Sequence, residues 1–98
     1  MTNHAETIQQ REGVAVVVYS KPQCVQCDAT YRKLDKHQIN YAIVDITEDP
    51  EAHEFLKGLG YLRAPVVFAA LPEGKSAHWS GYIPSLIEKH ITHRPDVT

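Results

Sequence analysis

Two cysteines, Cys24 and Cys27, are the only thiols in the chain, and they stand three residues apart as Cys24-Val25-Gln26-Cys27. On the first turn of a helix that spacing puts their Cα atoms about 5 Å apart, inside the window a disulfide tolerates. Such a pair opens and closes with little backbone movement. The first cysteine of the pair also meets the unsatisfied N–H groups and the positive dipole end of the helix, which favour a thiolate by up to about 2 kcal/mol. The thiolate is the form that attacks a disulfide. Cys27 falls on a stripe with Tyr31 and Leu34 and beside Asp28, so burial and a neighbouring negative charge disfavour its ionised form. This asymmetry assigns roles: Cys24 attacks a disulfide and Cys27 resolves the mixed disulfide from behind. Lys21 either supports the Cys24 thiolate electrostatically or is a solvated loop lysine, since exposed charges are worth little.

Other chemistry for two cysteines has weaker support. A zinc site needs two more ligands, and His90-x-x-His93 is the only tempting pair. It lies on the last amphipathic segment, far from the short ligand spacing of zinc fingers. Inert cysteines in a non-catalytic binding module are the other alternative. The six histidines form no nucleophile–base–orienter pattern and read as surface residues.

The elements that must position the pair follow from hydrophobic patterning. Val14-Ala-Val-Val-Val-Tyr-Ser20 is a continuous β-branched and apolar run, as expected of a strand covered on both faces. Lys21-Pro22 ends it. A helix runs from Cys24 to about His37, a second strand over Tyr41-Ala-Ile-Val-Asp45, and a second helix from the Asp49-Pro50 start to a Gly60 stop. The apolar stripe of that second helix is Ala52, Phe55, Leu56 and Leu59. Pro65 precedes a third strand, Val66-Val-Phe-Ala-Ala70. The Pro72-Glu-Gly-Lys75 turn joins it to a short fourth strand, Ala77-His-Trp-Ser80, which must therefore be antiparallel to the third. Ile83, Leu86, Ile87 and Ile91 mark a last helix between Pro84 and Pro95. The expected fold is α/β, β-α-β-α-β-β-α, with a four-stranded mixed sheet flanked by three helices in a thioredoxin-like arrangement. Residues 1–13 read as a loose polar extension, residues 14–93 as the single domain, and residues 94–98 as a tail.

Composition narrows the function class. The chain has 98 residues, a net charge of −2 and 43% hydrophobic residues, which fits one ordinary globular domain and excludes a disordered protein. No basic excess or stripe points to nucleic acid. No apolar run reaches the roughly 18 residues of a membrane span, and the polar start lacks the pattern of a secretory signal. The expectation is a cytoplasmic protein, where a merely stapling disulfide is uncommon.

Three segments together resemble one family, the NrdH-redoxins: Val16-Val-Val-Tyr-Ser-Lys-Pro-Gln-Cys-Val-Gln-Cys27, Gly60-Tyr-Leu-Arg-Ala-Pro-Val-Val67 and His78-Trp-Ser-Gly-Tyr82. These are glutaredoxin-like proteins that behave like thioredoxins. The resemblance implies a thiol–disulfide oxidoreductase acting as an electron carrier, a protein cosubstrate rather than a stand-alone enzyme. It implies electrons received from NADPH through the FAD-containing thioredoxin reductase and passed to the large subunit of class Ib ribonucleotide reductase, supporting deoxyribonucleotide synthesis. No cofactor would be bound, and the carrier would act as a monomer. Cys24 would be the nucleophile and Cys27 the resolving thiol, with Val25 and Gln26 between them in the partner-facing turn. The Ala64–Pro65 bond would be cis and would present the Ala64 backbone for pairing with an extended substrate segment. Trp79, Ser80, Gly81 and Tyr82 would pack near the active site and support its hydrogen bonding and reductase docking. Independently of the family, Trp79 can simply fill the core beneath the last helix, and Gly81 can serve a tight turn.

The chain departs from the family pattern at Tyr82, more often Phe, and at Ile83, Arg63 and Asp28; residues 71–75 and the N-terminal extension are longer. None of these changes removes a group from the dithiol chemistry. Glutathione-using glutaredoxins, the alternative within redox chemistry, resemble this chain less. They typically carry Cys-Pro-Tyr-Cys, Thr-Val-Pro and Gly-Gly-x-Asp-Asp, where this chain has Cys24-Val-Gln-Cys27, Arg63-Ala-Pro65 and Ser80-Gly-Tyr-Ile-Pro84. The carboxylates that would hold the glutathione amino end are missing, so weak use of glutathione or another low-molecular-weight thiol is expected.

Overall fold

The computed structural model describes residues 3–92. Its elements in order are α1 (His4–Glu12), β1 (Val16–Ser20), α2 (Val25–Lys36), β2 (Tyr41–Asp45), α3 (Pro50–Gly58), β3 (Val66–Ala70), β4 (Ser76–Ser80) and α4 (Pro84–Ile87), which continues into a π-helical turn, Glu88–Thr92. The sheet order is β2-β1-β3-β4. β1 pairs parallel with β2 and antiparallel with β3, and β3 pairs antiparallel with β4. This is the mixed, thioredoxin-like sheet expected from the patterning.

The continuous apolar run of β1 serves two cores, because successive side chains of a strand point to opposite faces. Val17 and Tyr19 join Ala5, Ile8, Ala52, Leu56, Val66 and Phe68 under α1 and α3. Val16 and Val18 join Leu34, Val67, Ala69, Trp79, Ile87 and Ile91 under α2 and α4. All five β1 residues are buried, as a central strand covered on both sides requires.

The N-terminal segment corrects the sequence reading. It is a nine-residue helix, α1, and not a loose extension. The Asn3 side chain accepts the Glu6 N–H at 2.8 Å, and Gly13 closes the helix at φ 68° with its N–H donated to the Gln9 carbonyl. Ala5 and Ile8 are buried in the first core, and Gln9 donates to the Ala15 carbonyl at 2.8 Å, fastening the helix to the start of β1. The domain therefore extends into residues assigned to the extension, and among the described residues four helices flank the sheet. Two apolar side chains make too short a stripe to register as periodicity, yet they suffice once the sheet supplies the other half of the contact.

Smaller differences have local causes. β1 begins at Val16, because Val14 and Ala15 lead in from the helix; the Ala15 carbonyl still accepts the Ala70 N–H at 2.8 Å. Leu59 is not on the buried stripe of α3: it is the residue after the helix and is 39% exposed. The last helix divides into a short α-helical and a π-helical part. His93, Pro95 and the tail 94–98 lie outside the described residues.

Candidate active site

β1 ends at Ser20 and the chain crosses Lys21-Pro22-Gln23 before entering α2. Gln23 takes a left-handed conformation, φ 57°, which is uncommon for a side-chain-bearing residue and turns the chain sharply into the helix. Cys24 then adopts an extended conformation (φ −114°, ψ 103°) and serves as the N-cap of α2. Its sulfur stands where a serine or aspartate oxygen usually does, accepting the Cys27 backbone N–H at 3.1 Å. The sulfur thus sits against the orphan donors and the positive end of the helix.

Cys24 and Cys27 are joined by a disulfide with a Cα–Cα distance of 5.2 Å. The two sulfurs are unequally placed. Cys24 is 8% exposed and Cys27 1%, so the capping residue is the one closer to solvent. Beside it Val25 is 79% exposed, and Gln26 is exposed as well.

The loop before β3 forms the second wall. Tyr19 is paired with Val66, which brings Ala64 and Pro65 alongside the loop that leads from β1 to Cys24. The Ala64–Pro65 bond is cis, as the family resemblance implied. Pro65 is buried and Ala64 half-buried, and Leu62 nearby is 84% exposed.

The segment after β4 spans the two walls. The Ser80 hydroxyl donates to the Arg63 carbonyl at 2.9 Å, the Gly81 N–H donates to the Pro65 carbonyl at 2.7 Å, and the Tyr82 N–H donates to the Gln26 side-chain oxygen at 3.0 Å. Gly81 has φ 95°, which turns the two successive N–H groups toward different acceptors; a Cβ there would lie 3.4 Å from the Gln26 oxygen. Trp79 is a buried residue of β4. It is 5% exposed in the second core and stacks on His90 with ring centroids 5.9 Å apart. This burial agrees with core filling, while Ser80, Gly81 and Tyr82 make the hydrogen bonds just described.

The structure brings together Cys24, Val25, Gln26, Cys27, Ala64, Pro65, Ser80, Gly81 and Tyr82. Lys21 is exposed, and its ammonium makes no ion pair among the described residues. Neither the acceptor role of the Arg63 carbonyl nor the pairing of Gln26 with Tyr82 follows from the sequence. No local pattern signals a contact between residues 56 positions apart.

The glutaredoxin family model matches residues 16–70. The chain is 31% identical to the glutaredoxin-like protein NrdH of Escherichia coli (strain K12) over 74 residues, covering 76% of this chain and 85% of that protein. It is 38% identical over 52 residues to the glutaredoxin-like protein NrdH of Lactococcus lactis subsp. cremoris, covering 53% and 72%. Among solved structures it is similar to the NrdH-redoxin of Escherichia coli, described as having a thioredoxin-like activity profile, with a TM-score of 0.67, 32% identity and coverage of 74% and 90%. The fold is also shared with a buckwheat glutaredoxin–glutathione complex, at a TM-score of 0.60, 21% identity and coverage of 86% and 76%.

Proposed function

Because this chain belongs to the glutaredoxin family, with the glutaredoxin-like NrdH proteins among its relatives, we propose that it carries electrons from NADPH, by way of thioredoxin reductase, to class Ib ribonucleotide reductase. The observation that carries this reading is the Cys24 sulfur at the tip of α2, accepting the Cys27 N–H, with Cys27 enclosed behind it. In the reduced protein that placement stabilises a Cys24 thiolate, because a negative sulfur gains more from the N–H groups and the helix dipole than a neutral thiol does.

The exchange runs in two steps. The Cys24 thiolate attacks one sulfur of the acceptor disulfide; that S–S bond breaks, a mixed disulfide forms, and the other acceptor sulfur leaves as a thiolate. Cys27 then loses its proton and attacks the Cys24 sulfur. The bond from Cys24 to the acceptor breaks, the second acceptor thiolate departs, and the Cys24–Cys27 disulfide forms. Two electrons have passed to the acceptor, whose thiolates take up two protons. A reductase dithiol reverses the sequence with electrons from NADPH through its flavin. Both cofactors belong to the reductase, and this chain supplies only its cysteines.

Docking uses the cis-proline wall. An extended acceptor segment adds alongside Ala64, whose backbone is not hydrogen-bonded within the described residues. Exposed Val25 and Leu62 give apolar contact on either side. No helix among the described residues is long and apolar enough to cross a membrane, and a cytoplasmic carrier is the corresponding proposal.

The test is NADPH consumption with thioredoxin reductase, this protein and a class Ib ribonucleotide reductase. The expected result is turnover that requires all three proteins. Turnover with glutathione and glutathione reductase, and none with thioredoxin reductase, would establish the glutaredoxin alternative instead.

A further inference from the structure

The strap formed by Ser80, Gly81 and Tyr82 is anchored at both ends, and the two anchors are chemically different. On one side Arg63 and Pro65 offer backbone carbonyls, which any sequence would supply. On the other side the acceptor is a side chain, Gln26, lying between the two cysteines. It makes the one hydrogen bond among the described residues that joins residues 24–27 to the strap. Its own backbone carbonyl is held separately, accepting the Thr30 hydroxyl at 2.9 Å, so the backbone from which the carboxamide extends is itself fixed.

We infer that Gln26 is a positioning residue for disulfide exchange with protein acceptors: by accepting the Tyr82 N–H it holds the cysteine-bearing turn of α2 at a set separation from the Ala64–Pro65 backbone. This inference rests on the redox reading above. A protein acceptor must satisfy two requirements together, pairing of its chain beside Ala64 and in-line approach of its sulfur to Cys24. The relative placement of the two walls decides whether both can be met, and small displacements of reacting atoms are costly. A small disulfide has only the second requirement and is indifferent to that separation. Gln26 therefore affects protein acceptors and leaves the intrinsic reactivity of Cys24 alone.

The experiment compares two acceptors for each variant: insulin, a protein disulfide, and bis(2-hydroxyethyl) disulfide, small and uncharged. The readout is the ratio of the two second-order rate constants, in which any change in thiolate population cancels. Gln26→Leu leaves an apolar side chain one atom shorter than glutamine and removes the acceptor oxygen; its ratio is expected to fall about fivefold, the scale of one lost hydrogen bond. Gln26→Glu restores an oxygen acceptor, and in about 1 M salt, where the screening length is about 3 Å, its ratio is expected to return close to that of the wild-type protein. A Gln26→Leu ratio equal to wild type overturns the inference, as does a parallel fall in both rate constants or a Gln26→Glu ratio as low as that of Gln26→Leu. A wild-type protein that reduces neither disulfide overturns the redox reading itself, which the ratio in the variants cannot do.

Discussion

The two faces of the sheet are built from the same strands and do different work. Under α1 and α3 lies an aromatic core: Tyr19 and Phe55 pack with ring centroids 5.9 Å apart, and Phe55 and Phe68 at 5.8 Å. Its polar exits are satisfied internally, since His4 Nδ1 pairs with the Tyr19 hydroxyl at 2.9 Å and the Asp49 carboxylate, the cap of α3, stands 3.8 Å from His4 Nε2. Under α2 and α4 the core is largely aliphatic, with Trp79 as its largest member. That second face carries α2, and α2 carries the cysteines. The contrast teaches that reactivity here belongs to the end of one helix, while the opposite face supplies rigidity to the strand that leads into it.

The most decisive way to break that division is at the cysteines. Cys24→Ser is expected to abolish exchange and to form no mixed disulfide, whereas Cys27→Ser still attacks but cannot release its acceptor and accumulates the mixed species. Non-reducing gel electrophoresis after mixing with an oxidised acceptor reads both outcomes. Equal trapping by the two variants would dissolve the asymmetry between the capping sulfur and the enclosed one.

Next in size is a truncation on the unreactive face. Ile8→Ala removes a buried side chain of α1 and is expected to cost about 3 kcal/mol in urea unfolding, with the rate constant of Cys24 toward a small disulfide within about twofold of wild type under native conditions. A large fall in that rate constant would show that the two faces are not separable.

Much of this architecture is legible in the sequence, and the exceptions have a common cause. Asp49-Pro50 marks the start of α3, β2 and β3 fall where their apolar runs place them, and the Cys24–Cys27 spacing anticipates the observed 5.2 Å. These signals are local. α1 is hard to read from sequence because its signals, Asn3 three residues before Glu6 and Gly13 at the end, lie in capping, while its apolar stripe is only Ala5 and Ile8. The contact of Gln26 with Tyr82 was invisible for a different reason: the carboxamide sits on an exposed position of α2, and only the folded topology brings the strap to it.

Capping gives a smaller and more specific test of the unreactive face. Asn3→Ala removes the side-chain acceptor for the Glu6 N–H and is expected to destabilise the protein by about 1 kcal/mol. Amide exchange should quicken across residues 4–12 and stay unchanged at the amides of α2. If the α2 amides quickened equally, α1 would be opening together with the reactive helix and the faces would form one cooperative unit.

The smallest effect sharpens the comparison on the reactive face. Tyr41 stacks on Tyr31 of α2, with centroids 5.8 Å apart, and donates its hydroxyl to Asp35 of the same helix at 2.8 Å. Burial, the hydrogen bond to Asp35, and the nearby charges of Asp35 and Tyr31 push its phenol up to about 12 from 10.0. The folded state therefore holds this proton more tightly than the unfolded chain does. The stability it contributes is complete below pH 10 and is lost as pH rises toward 12. Tyr41→Phe removes both the hydrogen bond and the titration. It is expected to lower stability by about 1 kcal/mol at neutral pH, and that deficit should shrink as pH climbs from 10 to 12, where the wild-type protein loses what the variant never had. Urea unfolding across that range measures it. Tyr19, raised by burial and by the charge of Asp49 on the other face, keeps titrating in the variant. Tyr61, raised by burial, does so too, so an alkaline slope that survives in Tyr41→Phe reports these two tyrosines, and a deficit that stays constant with pH would place Tyr41 outside the support of α2.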